Sequence, residues 1–309
     1  MAATIPILLD TDIGSDIDDA VALAYLLKQP ACELLGITTV SGVVDQRAAL
    51  AAAVCDAAGR ADVPIHCGAP GPLLTGTGQP DVPQYQAIAD RPGSQGPGRG
   101  RGQRDFTPGQ AVEFLRTTIR SRPNEITLFA IGPMTNIALL FAADPAIPSL
   151  IKQLVLMCGV FTAHGQRGPG AREWNAKCDP IATAMTYRAR PPVFTSIGLD
   201  VTLQCQLPAD ECRQRFTKAG GPLGIVAQMA EVWFKHRPVI TFHDPLAAAI
   251  IFQPDLCQYA DGQVEVETLS PTLGGLTSFR HDAAEHPHRI ATTVDNARFF
   301  DHYFAVVGE

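Results

Sequence analysis

Ile5-Pro-Ile-Leu-Leu-Asp-Thr-Asp-Ile-Gly-Ser-Asp-Ile-Asp-Asp-Ala20 passes from an apolar run through a burst of acids into a stretch dominated by Ala and Leu. Ile5 to Leu9 reads as a buried strand. Asp18 to Leu27 reads as a helix that meets its first breaker at Pro30. The same alternation continues downstream. Strands are expected at Leu34–Val40, Val63–Cys67, Ile126–Ile131, Leu154–Met157 and Val193–Ile197, and helices at Arg47–Ala58, Thr135–Ala143 and Pro180–Ala189. Continuous apolar strands separated by helices require a sheet covered on both faces. The expected fold is therefore α/β, a single domain over residues 1–309 with a mostly parallel central sheet flanked by helices. Gln263 to Leu269 alternates polar and apolar residues and reads as an edge or outer strand.

Composition bounds the function. The 309 residues are 46% hydrophobic and 18% charged, which excludes collagen-like and wholly disordered chains. No apolar run reaches ~18 residues, so no membrane-spanning helix is expected. A net charge of -7 argues against duplex nucleic acid, which calls for a basic face, and suits a small-molecule enzyme. The N-terminus lacks the basic and apolar regions of a secretory leader. The eight cysteines form no C-x-x-C pair and sit mostly in apolar segments. Both features predict a cytoplasmic protein with reduced, buried thiols. Arg91 to Arg104, rich in Gly, Pro and Arg, reads as a mobile surface loop, and His164 to Gly170 as a Gly-rich loop after a strand. Either suits a lid.

The acids carry the chemistry. Asp10, Asp12, Asp16, Asp18 and Asp19 place five carboxylates within ten residues, between a buried strand and a helix. Each acid gains only ~0.3–1 kcal/mol from a helix N-terminus, too little to offset burial and mutual repulsion. A divalent cation would offset both. Hard oxygen donors select Ca²⁺ or Mg²⁺ over zinc, and Gly14 allows the chain to turn tightly.

A strand leading into D-x-D-x-G, then D-D-A at a helix start, resembles the inosine–uridine preferring nucleoside hydrolases. The resemblance continues in order through Gly36-Ile-Thr-Thr-Val-Ser-Gly42, Ile131-Gly-Pro-Met-Thr135-Asn136 and Val155-Leu-Met157-Cys-Gly159. It closes with Glu173-Trp-Asn175, Asp179-Pro180 and Phe242-His243-Asp244-Pro245. It is weakest over Pro70 to Arg104 and after Pro254. It implies calcium-dependent hydrolysis of ribonucleosides to free base and ribose. Ca²⁺ would be held by Asp12, Asp19, Asp244 and the Thr135 carbonyl. The ribose hydroxyls would meet Glu173 and Asn175, with Met157 against the sugar. His243 would lie near the leaving base. Asp18 is the candidate base, in contact with substrate, because Asp18-Asp19-Ala20 opens the helix. Asp16 remains the alternative. Asp10 would orient its neighbours, and Asn136 would cap a helix. A nucleoside is the expected partner, and a homodimer or homotetramer the expected assembly.

The sequence departs from the family pattern in four places. Ser15, Asp16 and Ile17 stand between Gly14 and Asp18, two residues more than usual. Val43 replaces an Asn after V-x-G, with Asp45 close by. No histidine occurs in the segment 70–104, where many members carry a His–Gly pair. Thr162, His164 and Gln166 replace an Asn expected to touch the 5′-hydroxyl. These changes motivate a rival, a non-catalytic ribose- or nucleoside-binding member. A further rival rests on Asp10: a strand ending in D-x-D also opens haloacid dehalogenase-type phosphatases, with the first Asp as phosphoryl acceptor. No acidic pair follows a later strand to support it. His281, His286 and His288 fit no standard zinc spacing and are expected in a polar surface or rim loop.

Overall fold

The computed structural model describes residues 4–89, 106–162, 165 and 171–308. The loop expected at 91–104 lies outside them, as does the 164–170 stretch apart from Gly165. The strands are β1 (Ile5–Thr11), β2 (Cys32–Thr39), β3 (Ile65–Cys67), β4 (Thr127–Ala130), β5 (Gln153–Met157) and β6 (Phe194–Ile197). They continue with β7 (Gln206–Pro208), β8 (Val239–Thr241), β9 (Cys257–Val266), β10 (Thr277–Arg280) and β11 (His288–Val294). Among the described residues one nine-stranded sheet runs in the order β10-β9-β11-β6-β5-β4-β1-β2-β3, and β7 and β8 pair separately. Every pairing from β11 to β3 is parallel; only β9 runs against its neighbours.

Alternation within the strands explains the layers. In β1, Ile7 and Leu9 enter the core on one face and Leu8 on the other; in β5, Val155 and Met157 oppose Leu154 and Leu156. Both faces are apolar, so both must be covered. Helices Asp18–Lys28, Val44–Ala57, Gly221–Phe234, His243–Ala249 and Asn296–Val307 supply one cover, and Ala111–Ser121, Thr135–Ala143 and Pro180–Arg188 the other. The α/β expectation therefore holds. Of the strand expected at Gln263–Leu269, Gln263 to Val266 end the longer β9, second from the edge, and Glu267 to Leu269 lie beyond it; β10 is the edge strand. Cys32 is half-buried and the other seven cysteines are buried. Among the described residues no helix is long and apolar enough to cross a membrane.

The strand order places the site. β1 lies between β2 and β4, so the chain winds outward in opposite directions on its two sides. In open α/β sheets, ligands bind beyond the carboxyl ends of the strands at such a reversal. The acidic turn leaves the end of β1, and the turn Gly132–Thr135 leaves the end of β4.

Candidate active site

The acidic turn is built around its backbone. Gly14 has φ 115, and a Cβ there would lie 2.4 Å from Val82 and 2.6 Å from Leu50, so glycine is required on both counts. Helix Asp18–Lys28 then starts on its two acids, with Ile17 preceding it and no side-chain cap. The Thr11 hydroxyl donates to Asp19 Oδ1 at 2.5 Å. The backbone N–H of Asp244, in the first turn of helix His243–Ala249, donates to Asp18 Oδ2 at 3.2 Å. Asp18, Asp19 and Asp244 each bring a carboxylate oxygen within 4.8 Å of the others, and all three side chains are buried. Asp18, expected as a base beside the metal ligands, thus lies among the ligand-competent groups.

Asp12 approaches from the other side. Its Oδ2 accepts from Gln79 Nε2 at 2.7 Å. A Cβ on Gly132 would lie 2.9 Å from Asp12 N and 3.0 Å from its Oδ1, so the turn after β4 closes directly against this residue. Thr135 heads the helix that follows, and its hydroxyl donates to Asp179 Oδ2 at 2.8 Å. Arg47, fully buried, donates to the carbonyls of Asp12 and Ile13.

Burial pushes the carboxyls of Asp18, Asp19 and Asp244 well above the usual range, and mutual repulsion adds to it. Asp12 is also raised by burial, against the opposing Arg47 charge and the Gln79 hydrogen bond. Asp16, half-buried, is raised to about 6, again chiefly by burial; its Oδ1 accepts from the N–H of Ile17 at 2.6 Å. Like charges with hard oxygen donors, concentrated where water is scarce, are the donor set a dication satisfies. These residues fit a metal ion.

Asp10 lies beneath them. Its Oδ1 accepts from the Thr38 hydroxyl at 2.5 Å and from Asn136 Nδ2 at 2.7 Å, while the buried Oδ2 has no partner. Burial raises this carboxyl to about 7 despite both bonds. The expected capping role of Asn136 is corrected here. Met134 precedes its helix without a side-chain cap, and the Asn136 amide instead bridges Asp10, the Thr39 carbonyl (3.1 Å) and the Ala69 N–H (2.9 Å).

The expected sugar-side residues gather at the ends of β4 and β5. Asn175 Nδ2 donates to the carbonyls of Ile131 (2.6 Å) and Met157 (3.1 Å), spanning the two strands. Glu173 caps helix Trp174–Cys178. Its carboxylate accepts from the backbone N–H groups of Asn175, Ala176 and Gly159 at 2.6, 2.9 and 3.2 Å. Burial raises it to about 6, and the three donors hold it down. His243 is half-buried at the head of its helix, its Nδ1 2.7 Å from the Thr202 hydroxyl.

Sequence reading missed Arg47, Gln79, Thr11, Thr38 and the work of Asp179. That residue caps helix Pro180–Arg188 through the Ala182 N–H and accepts from Leu73 N and the Thr135 hydroxyl. The D-P pair at 179–180 was a usable signal for this cap. Val43 stands immediately before helix Val44–Ala57, and Asp45 lies in that helix's first turn; burial raises the Cys67 thiol, and the Asp45 charge adds to it. The histidine-rich stretch is also corrected. His288 is buried in β11 rather than in a surface loop; its Nδ1 accepts from Val264 N at 2.9 Å and its Nε2 lies 2.7 Å from the Tyr187 carbonyl. The His286 ring bonds the Ala283 carbonyl. Among the described residues the three do not form a metal-binding group.

Comparison with known proteins agrees with this geometry. The family model for inosine-uridine preferring nucleoside hydrolases matches residues 7–301. Uridine nucleosidase 1 of Arabidopsis thaliana is 30% identical over 282 residues, covering 87% of this chain and 80% of that protein. The pyrimidine-specific ribonucleoside hydrolase RihA of Citrobacter koseri is 30% identical over 285 residues, covering 88% and 87%. Among solved structures, the purine-preferring ribonucleoside hydrolase from Gardnerella vaginalis matches 98% of both chains with a TM-score of 0.81 and 27% identity. The phosphatase reading of Asp10 is overturned by these matches. A buried group of converging carboxylates at the strand reversal and a family match over nearly the whole sequence lead to one conclusion: the chain belongs to the inosine–uridine preferring nucleoside hydrolase family, enzymes that hydrolyse N-glycosyl bonds.

Proposed function

We propose that this enzyme is a calcium-dependent ribonucleoside hydrolase that releases free base and ribose. The observation that carries the reading is the convergence of Asp18, Asp19 and Asp244 from two helices far apart in sequence, with Asp12 against them. Asp12, Asp19, Asp244 and the Thr135 carbonyl would hold the ion. When bound, Ca²⁺ supplies a chelating centre for the ribose 2′- and 3′-hydroxyls and lowers the pKa of a neighbouring water.

The chain's own residues do the rest. Asp18 accepts the proton of the water that attacks C1′. The new C1′–O bond forms as the N-glycosidic bond breaks, and its electron pair leaves with the base. His243 donates a proton to that leaving group, a general-acid role that an imidazole can fill. The surrounding carboxylates stabilise the oxocarbenium-like charge, as in glycoside hydrolysis. Glu173 and Asn175 grip ribose hydroxyls, with Met157 packed against the sugar, while Asp10 and Asp16 orient their neighbours. The buried thiols suit a reducing compartment such as the cytoplasm, and the family resemblance favours a homodimer or homotetramer.

The test is direct. Purified protein should retain calcium and release base from at least one member of a panel of purine and pyrimidine ribonucleosides. No turnover across that panel, with calcium-dependent ribose binding intact, would replace the reading with a binding protein.

A further inference from the structure

Arg47 is a charged side chain with no exposed surface, set one turn into helix Val44–Ala57. Its guanidinium is bonded on three nitrogens. Nε donates to the Ser41 carbonyl at 2.6 Å, Nη1 to the carbonyls of Ile13 at 3.0 Å and Asp12, and Nη2 to the Ser15 hydroxyl at 3.0 Å. All four acceptors are neutral. Asp12 and Asp19 act on Arg47 only through space. Three of the acceptors lie in the turn between Asp12 and Asp16. The fourth belongs to Ser41, a non-glycine residue at φ 69 in the turn after β2. One planar fork therefore ties together two turns at the carboxyl end of the sheet.

The location matters because this turn is the link between Asp12 and Asp19, which must reach one centre. Such a link has many conformations available, and the others must be excluded before the carboxylates share one centre. Gln84 ties down the Gly14 and Ser15 carbonyls at 3.3 and 2.9 Å, but those bonds do not reach Asp12 or Ile13. The Arg47 guanidinium does, and its donors point in fixed directions; an ammonium on a flexible stem cannot span the same acceptors.

We propose that Arg47 is a positioning residue whose guanidinium fork fixes the turn Asp12–Ser15 and so sets the spacing at which Asp12 meets Asp19 and Asp244. This inference rests on the metal site proposed above. It also makes a choice between two effects. A cation near a dication repels it, so loss of charge alone would tighten metal binding. Loss of the fork would weaken binding. With every direct bond going to a neutral oxygen, three of them in this turn and one in the turn after β2, the fork dominates.

Arg47→Lys keeps the charge and removes the fork. Calorimetric titration of the metal-free variant with CaCl₂ should show affinity weaker than wild type by about tenfold or more, the scale seen when a supporting partner of a metal ligand is lost. At saturating calcium, kcat should recover toward wild type. Ser15→Ala removes one acceptor and should weaken binding by roughly two- to threefold, a fraction of that loss. A folded Arg47→Lys protein with unchanged calcium affinity, or with tighter binding, overturns the proposal. A lowered melting temperature with unchanged affinity would reduce Arg47 to a fold residue. If Arg47→Lys fails to fold by circular dichroism, Ser15→Ala decides, and unchanged binding there overturns the inference. Wild-type protein that takes up no calcium is a separate result: it overturns the metal site itself.

Discussion

Around β5 and β6 the chain buries carboxylates by surrounding them with N–H groups. Asp200 accepts from the N–H of Phe161 at 3.0 Å and from both the N–H and hydroxyl of Thr162 at 2.6 Å. Asp179 and Glu173 cap helices in the same manner. Beyond β1 the carboxylates of Asp18, Asp19 and Asp244 face one another, and the chain gives them few donors. Burial is nearly equal in the two regions. What distinguishes them is the source of compensation: the backbone in one, and in the other, on the reading proposed above, a metal ion. A buried acid is therefore no evidence for a metal until its donors have been counted.

The sharpest way to break this contrast is to remove the ion. Chelation with EGTA should abolish base release, and calcium should restore it. Full activity after exhaustive chelation would show that the acidic turn is self-sufficient. Asp18→Asn comes next. It should lower kcat by ~10²–10⁴, the usual contribution of a positioned base, while ribose binding persists by calorimetry. Normal turnover in that variant would move the role to Asp16. Gln79→Ala removes the one side-chain donor seen on Asp12 Oδ2 and should weaken calcium binding by about 10–100-fold. On the other side of the comparison, Asp200→Ala should cost about 1–3 kcal/mol in urea unfolding, the penalty for stranding buried donors, and leave calcium affinity intact.

The smallest effect concerns pH. Asp10 at about 7 and Asp16 at about 6, with Asp12, Asp18, Asp19 and Asp244 also raised, titrate higher in the folded chain than unfolded. The folded state therefore binds more protons, and the stability of the metal-free protein should fall as pH rises from about 4, where the unfolded carboxyls titrate, through about 7. Melting curves in calcium should lose that slope. A metal-free protein whose melting temperature is flat across this range would mean that the acids are compensated internally.

Much of this was legible in the sequence, and the reason is local. The apolar runs of β1 and β5, the acids after β1 and the H-D-P start of the helix at 243 are short-range patterns, each read within a few residues. Arg47 sits in an Ala-rich helix with nothing nearby to mark it, because its acceptors are backbone carbonyls, which every sequence has. Gln79 lies in a stretch of Gly, Pro and Gln whose path is set by β1 and helix Trp174–Cys178, neither adjacent to it. Asn136 misled because a polar residue at a helix start usually caps it; here its Oδ1, the atom a cap would use, accepts from the Ala69 N–H, and its Nδ2 donates to Asp10. His288 misled because Pro287 and the surrounding charges suggested a loop, yet both ring nitrogens find backbone partners, Val264 in β9 and Tyr187 in helix Pro180–Arg188.

The hydrogen bond from the backbone of Asp244 to Asp18 joins residues 226 positions apart. During synthesis at ~5–20 residues per second, the N-terminal acids emerge roughly ten to fifty seconds before the helix that completes their cluster. A nascent chain halted anywhere short of that helix holds an incomplete nest of repelling charges. On the proposed metal site, capture of the ion would wait until residue 244 has emerged, and a polypeptide terminated earlier would lack one of its ligands.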